Sequence, residues 1–261
     1  MFPGRRRNES LAAALAVLLW LASGPGCTMG PAVVRIADSD ARMSAETGFA
    51  AADGRRLSWE ALVAQLAEAR IVYVGEDHAN PAHHALQARL IRDLARRHSD
   101  LVVGMEMFDF RYDGVLARWS RGELDLEAFL RQTHWYANWR FDHALYQPVL
   151  ETVQELGLPL VGLNLPFHLP AKIREGGLDS LLPDEQAWLP GEIDLTVAEH
   201  RAALEQTFRR HRFPHRVDFD FFYQAQCAWD ETMAAAVARS LGAGRMVVLC
   251  GRGHMLRSGI P

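Results

Sequence analysis

Lysine is almost absent from this 261-residue chain. Lys172 is the only one, so arginine supplies nearly all of the basic charge. The formal net charge is -4, and no basic block follows the first residues. Because a nucleic-acid-binding surface is normally basic, the sequence argues against a nucleic-acid partner. Cysteine is also scarce: the three cysteines form no CxxC motif, so we interpret Cys227 and Cys250 as small buried residues.

Several common catalytic and ligand-binding motifs are missing as well. The chain has no GxxxxGK[ST] phosphate loop, and no GxGxxG sequence opens a helix. It has no GxSxG nucleophile elbow, which makes a serine hydrolase a poor interpretation. The apolar run from Leu11 to Ala22 is too short to span a membrane comfortably.

This apolar run instead has the setting of an export signal. Three arginines, Arg5 to Arg7, precede it, and small residues follow it up to Cys27. A basic region, a short apolar stretch and small residues predict a signal peptide over residues 1–26. Cys27 stands where a bacterial lipoprotein would carry its lipid, as the first mature residue. The alternative is ordinary cleavage near Gly24, with Cys27 incidental.

This interpretation predicts an exported protein of the cell envelope or periplasm, held to the membrane through a lipid anchor. Residues 27–48 are mostly small and polar, which predicts a tether or an edge strand. No linker-like segment interrupts residues 49–261, so we predict one domain there.

Four short apolar runs, separated by helical patterns, organise this domain. A continuous apolar run of this kind is typical of a strand buried on both faces. Alternation with helices predicts an α/β fold with a largely parallel central sheet and helices on both faces. The runs are Ile71 to Val74, Leu101 to Phe108, Leu158 to Leu163 and Met246 to Cys250.

Polar residues stand at or just after the end of each predicted strand. Parallel strands place their carboxyl ends on one edge of the sheet, where open α/β sheets bind ligands. Two histidines with carboxylates can hold a divalent metal, here through His78, Glu106 and His254. Together with Glu76 this set could instead run acid–base chemistry, with Glu106 or Glu76 as the base and a histidine as the acid. Any single member could also simply cap a helix or brace a loop. The strand-end residues are Glu76, Asp77, His78, Glu106, Asn164 and His254.

One predicted helix, residues 218–241, carries two adjacent carboxylates in an alanine-rich setting. We hypothesise that Asp230 or Glu231 orients a histidine of the site, the alternative being plain solvent exposure. Asn164 is a further candidate for such a supporting role. The remaining histidines stand in polar or irregular contexts and are predicted at the surface: His134, His143, His168, His200, His211 and His215.

Several short motifs in order along the chain suggest a relationship. They are Gly75-Glu76-Asp77-His78, Pro81-Ala82-His83-His84, Gly104-Met105-Glu106-Met107-Phe108, Asn164-Leu165-Pro166, Gln226 to Ala234, Gly251-Arg252-Gly253-His254 and Gly259-Ile260-Pro261. Each motif is weak alone, but the series resembles the ChaN family of bacterial haem-binding lipoproteins. The resemblance implies a secreted, lipid-anchored α/β protein of haem or iron uptake that acts as a homodimer. Family members usually continue past this Gly-Ile-Pro, so we expect a closing segment after Pro261.

The same resemblance keeps an enzymatic hypothesis open. ChaN proteins are related to the Tiki and TraB proteins and to erythromycin-esterase-like hydrolases. The matching positions are His78, Glu106 and His254, with Glu76 beside the first. This relationship implies a metal-dependent or general-base hydrolase as the alternative to a haem carrier without turnover.

Haem held without a CxxCH motif needs an axial side chain, and tyrosinate suits ferric iron. Tyr146 is the first candidate because it resembles a recurring tyrosine of the family, while Tyr73 is better placed in the core. The segment from Trp135 to Phe141 is either a porphyrin wall or a packed loop. Other candidates for contacts with haem are Tyr136, Tyr112, Tyr223, His83 and, for the propionates, Arg140.

Overall fold

The computed structural model describes residues 15–20, 32–36, 49–50, 56–210, 217–255 and 259–260. Cys27, His211 and His215 lie outside these ranges, as does most of the predicted tether. The lipidation of Cys27 therefore stays a prediction. Within the described residues, no helix is both long and apolar enough to cross a membrane.

Eight strands form one sheet, in the spatial order β4-β3-β2-β1-β5-β8-β6-β7. The strands are β1 (Leu15–Trp20), β2 (Ala32–Ile36), β3 (Phe49–Ala50), β4 (Arg56–Leu57), β5 (Ile71–Glu76), β6 (Leu101–Asp109), β7 (Leu160–Asn164) and β8 (Arg245–Gly251).

Strands β5, β8, β6 and β7 are mutually parallel and correspond to the four predicted apolar runs. The last strand of the chain, β8, is inserted between β5 and β6. Its register pairs Glu76 with Gly251, so the ends of β5 and β8 lie side by side. The predicted α/β fold with a central parallel sheet is confirmed.

The other half of the sheet, β1 to β4, is antiparallel and continues outward from β5. Strand β2 contains the apolar piece of the predicted tether, but it pairs with β1 on one side and with β3 on the other, so it is an interior strand and not the predicted edge strand. Strand β1 falls inside residues 1–26. The export signal predicted there is not tested by this pairing and stays a prediction.

Ten α-helices are found in the described residues, and polar side chains cap the amino ends of the first two. Ser58 and Asn80 cap the first two helices by accepting hydrogen bonds from the amides of Ala61 and Ala82. The helices are α1 (Trp59–Ala67), α2 (Pro81–Ala95), α3 (Asp113–Ser120), α4 (Leu126–Gln132), α5 (Trp135–Asn138), α6 (His143–Leu156), α7 (His168–Gly176), α8 (Pro183–Gln186), α9 (Ala198–Arg210) and α10 (Phe219–Leu241).

Successive residues of the parallel strands belong to different apolar clusters, as expected for strands covered on both faces. Val72 and Val74 belong to the large cluster that includes residues of α1, α2 and α6. Tyr73 belongs to a second cluster with Met233 and Val237 of α10. The parallel strands thus form a rigid support whose carboxyl ends present the polar residues.

Candidate functional site

The end of β5 and the loop after it build the first half of the site. Glu76 is buried, and its Oε1 lies 2.8 Å from Nδ1 of His78 and 2.7 Å from the hydroxyl of Tyr146, which donates to it. Its Oε2 accepts a hydrogen bond of 2.8 Å from Gln87. His84 approaches Oε1 at 3.3 Å. One buried carboxylate therefore organises four polar side chains.

These contacts determine the protonation states of Glu76 and His78. Burial alone would raise the pKa of Glu76, but the hydrogen bonds from His78, His84 and Tyr146 lower it to about 2. For His78, burial works toward a lower pKa, yet the bond to Glu76 and the nearby Glu106 raise it overall. Glu76 is therefore an anion across the physiological range, and it favours a protonated His78.

Glu106 lies between the two halves of the site. Its Oε2 accepts a hydrogen bond of 2.6 Å from the amide of Gly251, and its Oε1 lies 3.7 Å from Nε2 of His254. A Cβ built on Gly251 would be 3.0 Å from Nε2 of His78 and 3.5 Å from Oε2 of Glu106. His254 therefore faces Glu106 with Nε2, and the ring of His78 lies against Gly251 beside the same carboxylate. Asn164 braces the strand by donating to the carbonyl of Glu106 at 2.9 Å.

The second half is built by the end of β8 and by two helices packed behind it. Nδ1 of His254 lies 2.5 Å from Oδ1 of Asp230, and Nε2 of His200 lies 3.1 Å from Oδ2 of the same carboxylate. Burial lowers the pKa of His254, but the charges of Asp230 and Glu106 outweigh it and raise that pKa to about 9. His254 is thus held as an imidazolium.

Of the two helix carboxylates predicted to support a site histidine, only Asp230 lies beside one. Asp230 orients a site histidine, whereas Glu231 accepts a hydrogen bond of 2.5 Å from the amide of Asp194 and contacts neither histidine of the site. His200, predicted at the surface, is 3% exposed. That prediction is wrong, because α9 packs against α10 and presents His200 to Asp230, a tertiary contact that the local sequence does not encode.

The predicted metal site does not have ligand geometry. His78, Glu106 and His254 do converge, but among the described residues no group of three His, Cys, Asp or Glu side chains is arranged to hold a metal ion. The Nδ1 atoms of both histidines are engaged by carboxylates, and one oxygen of Glu106 is engaged by a backbone amide. The predicted divalent metal is therefore not supported by the arrangement of the described side chains.

Two predicted haem contacts lie inside the protein. Tyr146 is fully buried, and burial together with the charge of Glu76 raises the pKa of its phenol. The structure argues against Tyr146 as an axial ligand, since a ligand to ferric iron must lose that proton. His83 is also buried, with Nδ1 3.0 Å from the amide of Asp77 and Nε2 3.2 Å from Nδ2 of Asn80. These contacts brace the loop after β5.

The aromatic segment after α4 is divided between core and surface. Trp135 and Trp139 are buried, and Trp139 stands edge-on to His78 with ring centroids 4.9 Å apart. Tyr136 points outward with 61% of its surface exposed, and its hydroxyl lies 2.6 Å from Nδ1 of His143. Arg140 is also exposed. The packed-loop interpretation therefore holds for the tryptophans, while Tyr136 and Arg140 are accessible.

Two further residues of the site, His84 and Gln87, were not predicted. Both are fully buried on α2, where they approach Glu76. Helical spacing contained a signal for them, because positions 83, 84 and 87 share one side of α2. A buried histidine and a buried glutamine on that side needed a polar partner, and Glu76 supplies it.

The fold and the site together define an open α/β protein with a polar cluster at the carboxyl edge of its parallel strands. Comparison with known families makes this more specific. A family model described as "Haem-binding uptake, Tiki superfamily, ChaN" matches residues 62–261, so the chain belongs to the ChaN family of the Tiki superfamily. The resemblance predicted from the motifs is confirmed.

A solved structure of a ChaN protein shows the same fold. A structure of cofacial haem binding to ChaN of Campylobacter jejuni is 17% identical with a TM-score of 0.64, and the match covers 80% of this chain and 81% of that one. The erythromycin esterase mutant EreC H289N is 19% identical with a TM-score of 0.42, and the match covers 74% of this chain and 63% of that one. None of the curated proteins matches this chain significantly.

Proposed function

We propose that this protein binds haem as an exported, lipid-anchored component of haem or iron uptake. Membership of a family described as haem-binding supports the ligand. The observation that carries the proposal is the exposure of Tyr136. Of the five tyrosines of the chain, Tyr73, Tyr146 and Tyr223 are buried and Tyr112 is partly buried, whereas Tyr136 is 61% exposed.

The donor set at Tyr136 fits ferric haem. A phenolate oxygen is a suitable axial ligand for this iron, and the neighbouring His143 nitrogen gives the hydroxyl a partner. Arg140, exposed four residues further along, is a cation of the type that pairs with propionates. When bound at Tyr136, haem would supply a flat apolar ring and a ferric centre. Tyr136 would bind the iron, and Arg140 would orient the carboxylates.

Titration of the purified chain with haemin tests the proposal. Wild-type protein should give a shifted Soret band with a stoichiometric end point. Tyr136→Phe should weaken haem binding by at least about tenfold, equivalent to about 1.4 kcal/mol, because the iron loses its oxygen ligand. Tyr112→Phe, a partly buried tyrosine of the same region, is the matched control. Absence of a Soret shift in the wild type, or full binding by Tyr136→Phe, would contradict the proposal.

The cellular part of the proposal is carried by residues 1–27. A signal peptide ahead of Cys27 predicts partition of the protein into the detergent phase, and Cys27→Ser should move it to the aqueous phase. Recovery of unmodified Cys27 in a wild-type protein from the envelope would contradict the lipid anchor. The homodimer implied by the family resemblance remains a prediction, to be tested by sedimentation with and without haemin.

The strand-end cluster supports a second candidate function, general acid–base hydrolysis without a metal. The favouring observation is that His78 and His254 each have Nδ1 held by a buried carboxylate, while Nε2 of His254 lies 3.7 Å from Glu106. Fixed orientation and shifted pKa values are typical of catalytic histidines. A screen of simple esters should then show turnover that Glu106→Gln abolishes. Wild-type activity no higher than that of Glu106→Gln would remove this candidate.

A further inference from the structure

A groove between α1 and α2 carries an excess of positive charge. Its volume is about 500 Å³. The four arginines that line it lie on the C-terminal part of α2 and just beyond its end, where positions 89, 92 and 96 share one face of the helix. Four positive charges against two carboxylates leave a surplus of two positive charges. The charged residues of the groove are Arg89, Arg92, Arg96, Arg97, Glu60 and Asp93.

Two of the four arginines are already paired with carboxylates of the protein. Oδ1 of Asp93 pairs with Arg96, while Oδ2 of Asp93 accepts a hydrogen bond of 2.7 Å from Nε1 of Trp59. Arg92 lies 2.6 Å from a carboxylate oxygen of Glu155, a residue of α6 that does not line the groove. Asp93 therefore holds the Trp59 ring in place and has little capacity left for a further cation.

The other two arginines, Arg89 and Arg97, are exposed, and neither forms an ion pair with a carboxylate of the described residues. Arg89 instead lies over the ring of Trp59, with its Cζ 4.2 Å from the ring centroid. This cation–π contact positions the guanidinium group without neutralising its charge. Arg97 follows the end of α2, where the negative end of the helix dipole favours a cation. Both positive charges are therefore available to an anion that enters the groove.

We propose that this groove binds the phosphate group of a phosphate monoester. Such a group carries about 1.5 to 2 negative charges at pH 7, which matches the surplus of the groove, whereas a carboxylate carries one. Its oxygen atoms accept paired hydrogen bonds from guanidinium N–H groups. The volume of the groove leaves room for the alcohol part of the ester. The groove shares no residue with the strand-end cluster or with the proposed haem site, so this proposal does not depend on haem binding.

Calorimetric titration of the purified chain with glycerol 3-phosphate tests the proposal. The wild type should bind this ester saturably, with a Kd of about 1 mM or tighter. The indole N–H signal of Trp59 should shift in the NMR spectrum, because Arg89 lies over that ring. Arg89→Gln should weaken binding by about tenfold, the effect of losing one charge-assisted contact. Arg89→Lys keeps the charge but not the planar group, so its affinity should fall between the two.

Arg131→Gln is the matched control, because it removes one positive charge from an exposed arginine of α4 outside the groove. It should bind glycerol 3-phosphate like the wild type. Acetate should bind more weakly than the ester, since it supplies only one charge. Absence of saturable binding by the wild type, equal affinity for acetate, or equal weakening in Arg131→Gln would overturn the proposal. A loss of about tenfold in haemin affinity in Arg89→Gln would also overturn it, because the groove would then hold the haem carboxylates.

Phosphatidylcholine vesicles with and without phosphatidic acid separate two sources of the phosphate group. Phosphatidic acid presents the same glycerol phosphate group at a membrane surface. If co-sedimentation with vesicles requires phosphatidic acid and is lost in Arg89→Gln, the ligand is a lipid headgroup. If glycerol 3-phosphate binds but the vesicles do not, the ligand is a soluble phosphate monoester.

Discussion

Two histidine pairs in this molecule use similar hydrogen bonds in opposite surroundings. His254 is paired with the buried carboxylate of Asp230, and its pKa is raised to about 9. His143 is paired with the exposed phenol of Tyr136 at the start of a helix. The buried pair lies at the end of β8 against packed helices, whereas Tyr136 of the other pair is 61% exposed. The comparison shows that burial and partner, rather than residue type, decide whether a histidine pair is sealed inside the protein or open to solvent.

Glu76→Gln should give the largest difference between the buried histidine cluster and the exposed Tyr136–His143 pair. This change removes the anion that faces His78, His84 and Tyr146, and it replaces one of the two acceptor oxygens with an NH2 donor. We expect a loss of about 3 kcal/mol in the free energy of unfolding, measured by urea denaturation, and an unchanged haemin affinity. Glu155→Gln, in an exposed pair with Arg92, should cost less than about 1 kcal/mol. If a folded Glu76→Gln protein lost haemin binding, the buried cluster around Glu76 and the Tyr136 region would not be independent of each other.

The second effect concerns pH. The pKa of folded His254, about 9, lies above its ordinary value of 6.5, so the proton binds the folded state more tightly. This stabilisation is fully present below pH 6.5 and is lost as the pH rises toward 9. Asp230→Asn should flatten that decline in the free energy of unfolding. Glu231→Gln is the neighbouring control and should retain it. An identical pH profile for wild type and Asp230→Asn would mean that Asp230 does not hold the proton on His254.

The smallest effect should come from one methyl group at the edge of the buried cluster. A Cβ on Gly251 would lie 3.0 Å from the ring of His78, while one on Gly253 would meet nothing within 4 Å. Gly251→Ala should therefore cost about 1 kcal/mol of stability and shift the NMR signals of His78. Gly253→Ala should leave the His78 signals in place. Equal perturbation by both variants would contradict the crowding seen at Gly251.

The strands and their carboxyl-end residues could be predicted because their signal is local. An apolar run that ends in glycine and then in charged residues identifies both a buried strand and its polar end, as at Glu76. The N-caps Ser58 and Asn80 are local signals of the same kind. Asp230 was recognised as a potential partner because a carboxylate on an alanine-rich helix needs a polar neighbour.

The contacts between distant segments could not be predicted in the same way. His200 lies on α9 in a polar stretch, and only the packing of α9 against α10 brings it to Asp230. Tyr146 was assigned to haem from its resemblance to a family tyrosine, but the fold directs its hydroxyl to Glu76, seventy positions earlier. The pairing of Tyr136 with His143 could not be predicted because the two residues lie on different helices, whose packing the local sequence does not encode.

The position of β8 has a consequence for the order in which the sheet can close. Among the described strands β8 comes latest in the sequence, yet it occupies the slot between β5 and β6 in the parallel part of the sheet. Until β8 is inserted, the facing edges of β5 and β6 have no strand between them, a condition that favours aggregation. The site cannot assemble earlier either, because His254 follows β8. Insertion of β8 therefore closes the parallel sheet and creates the polar cluster in a single step.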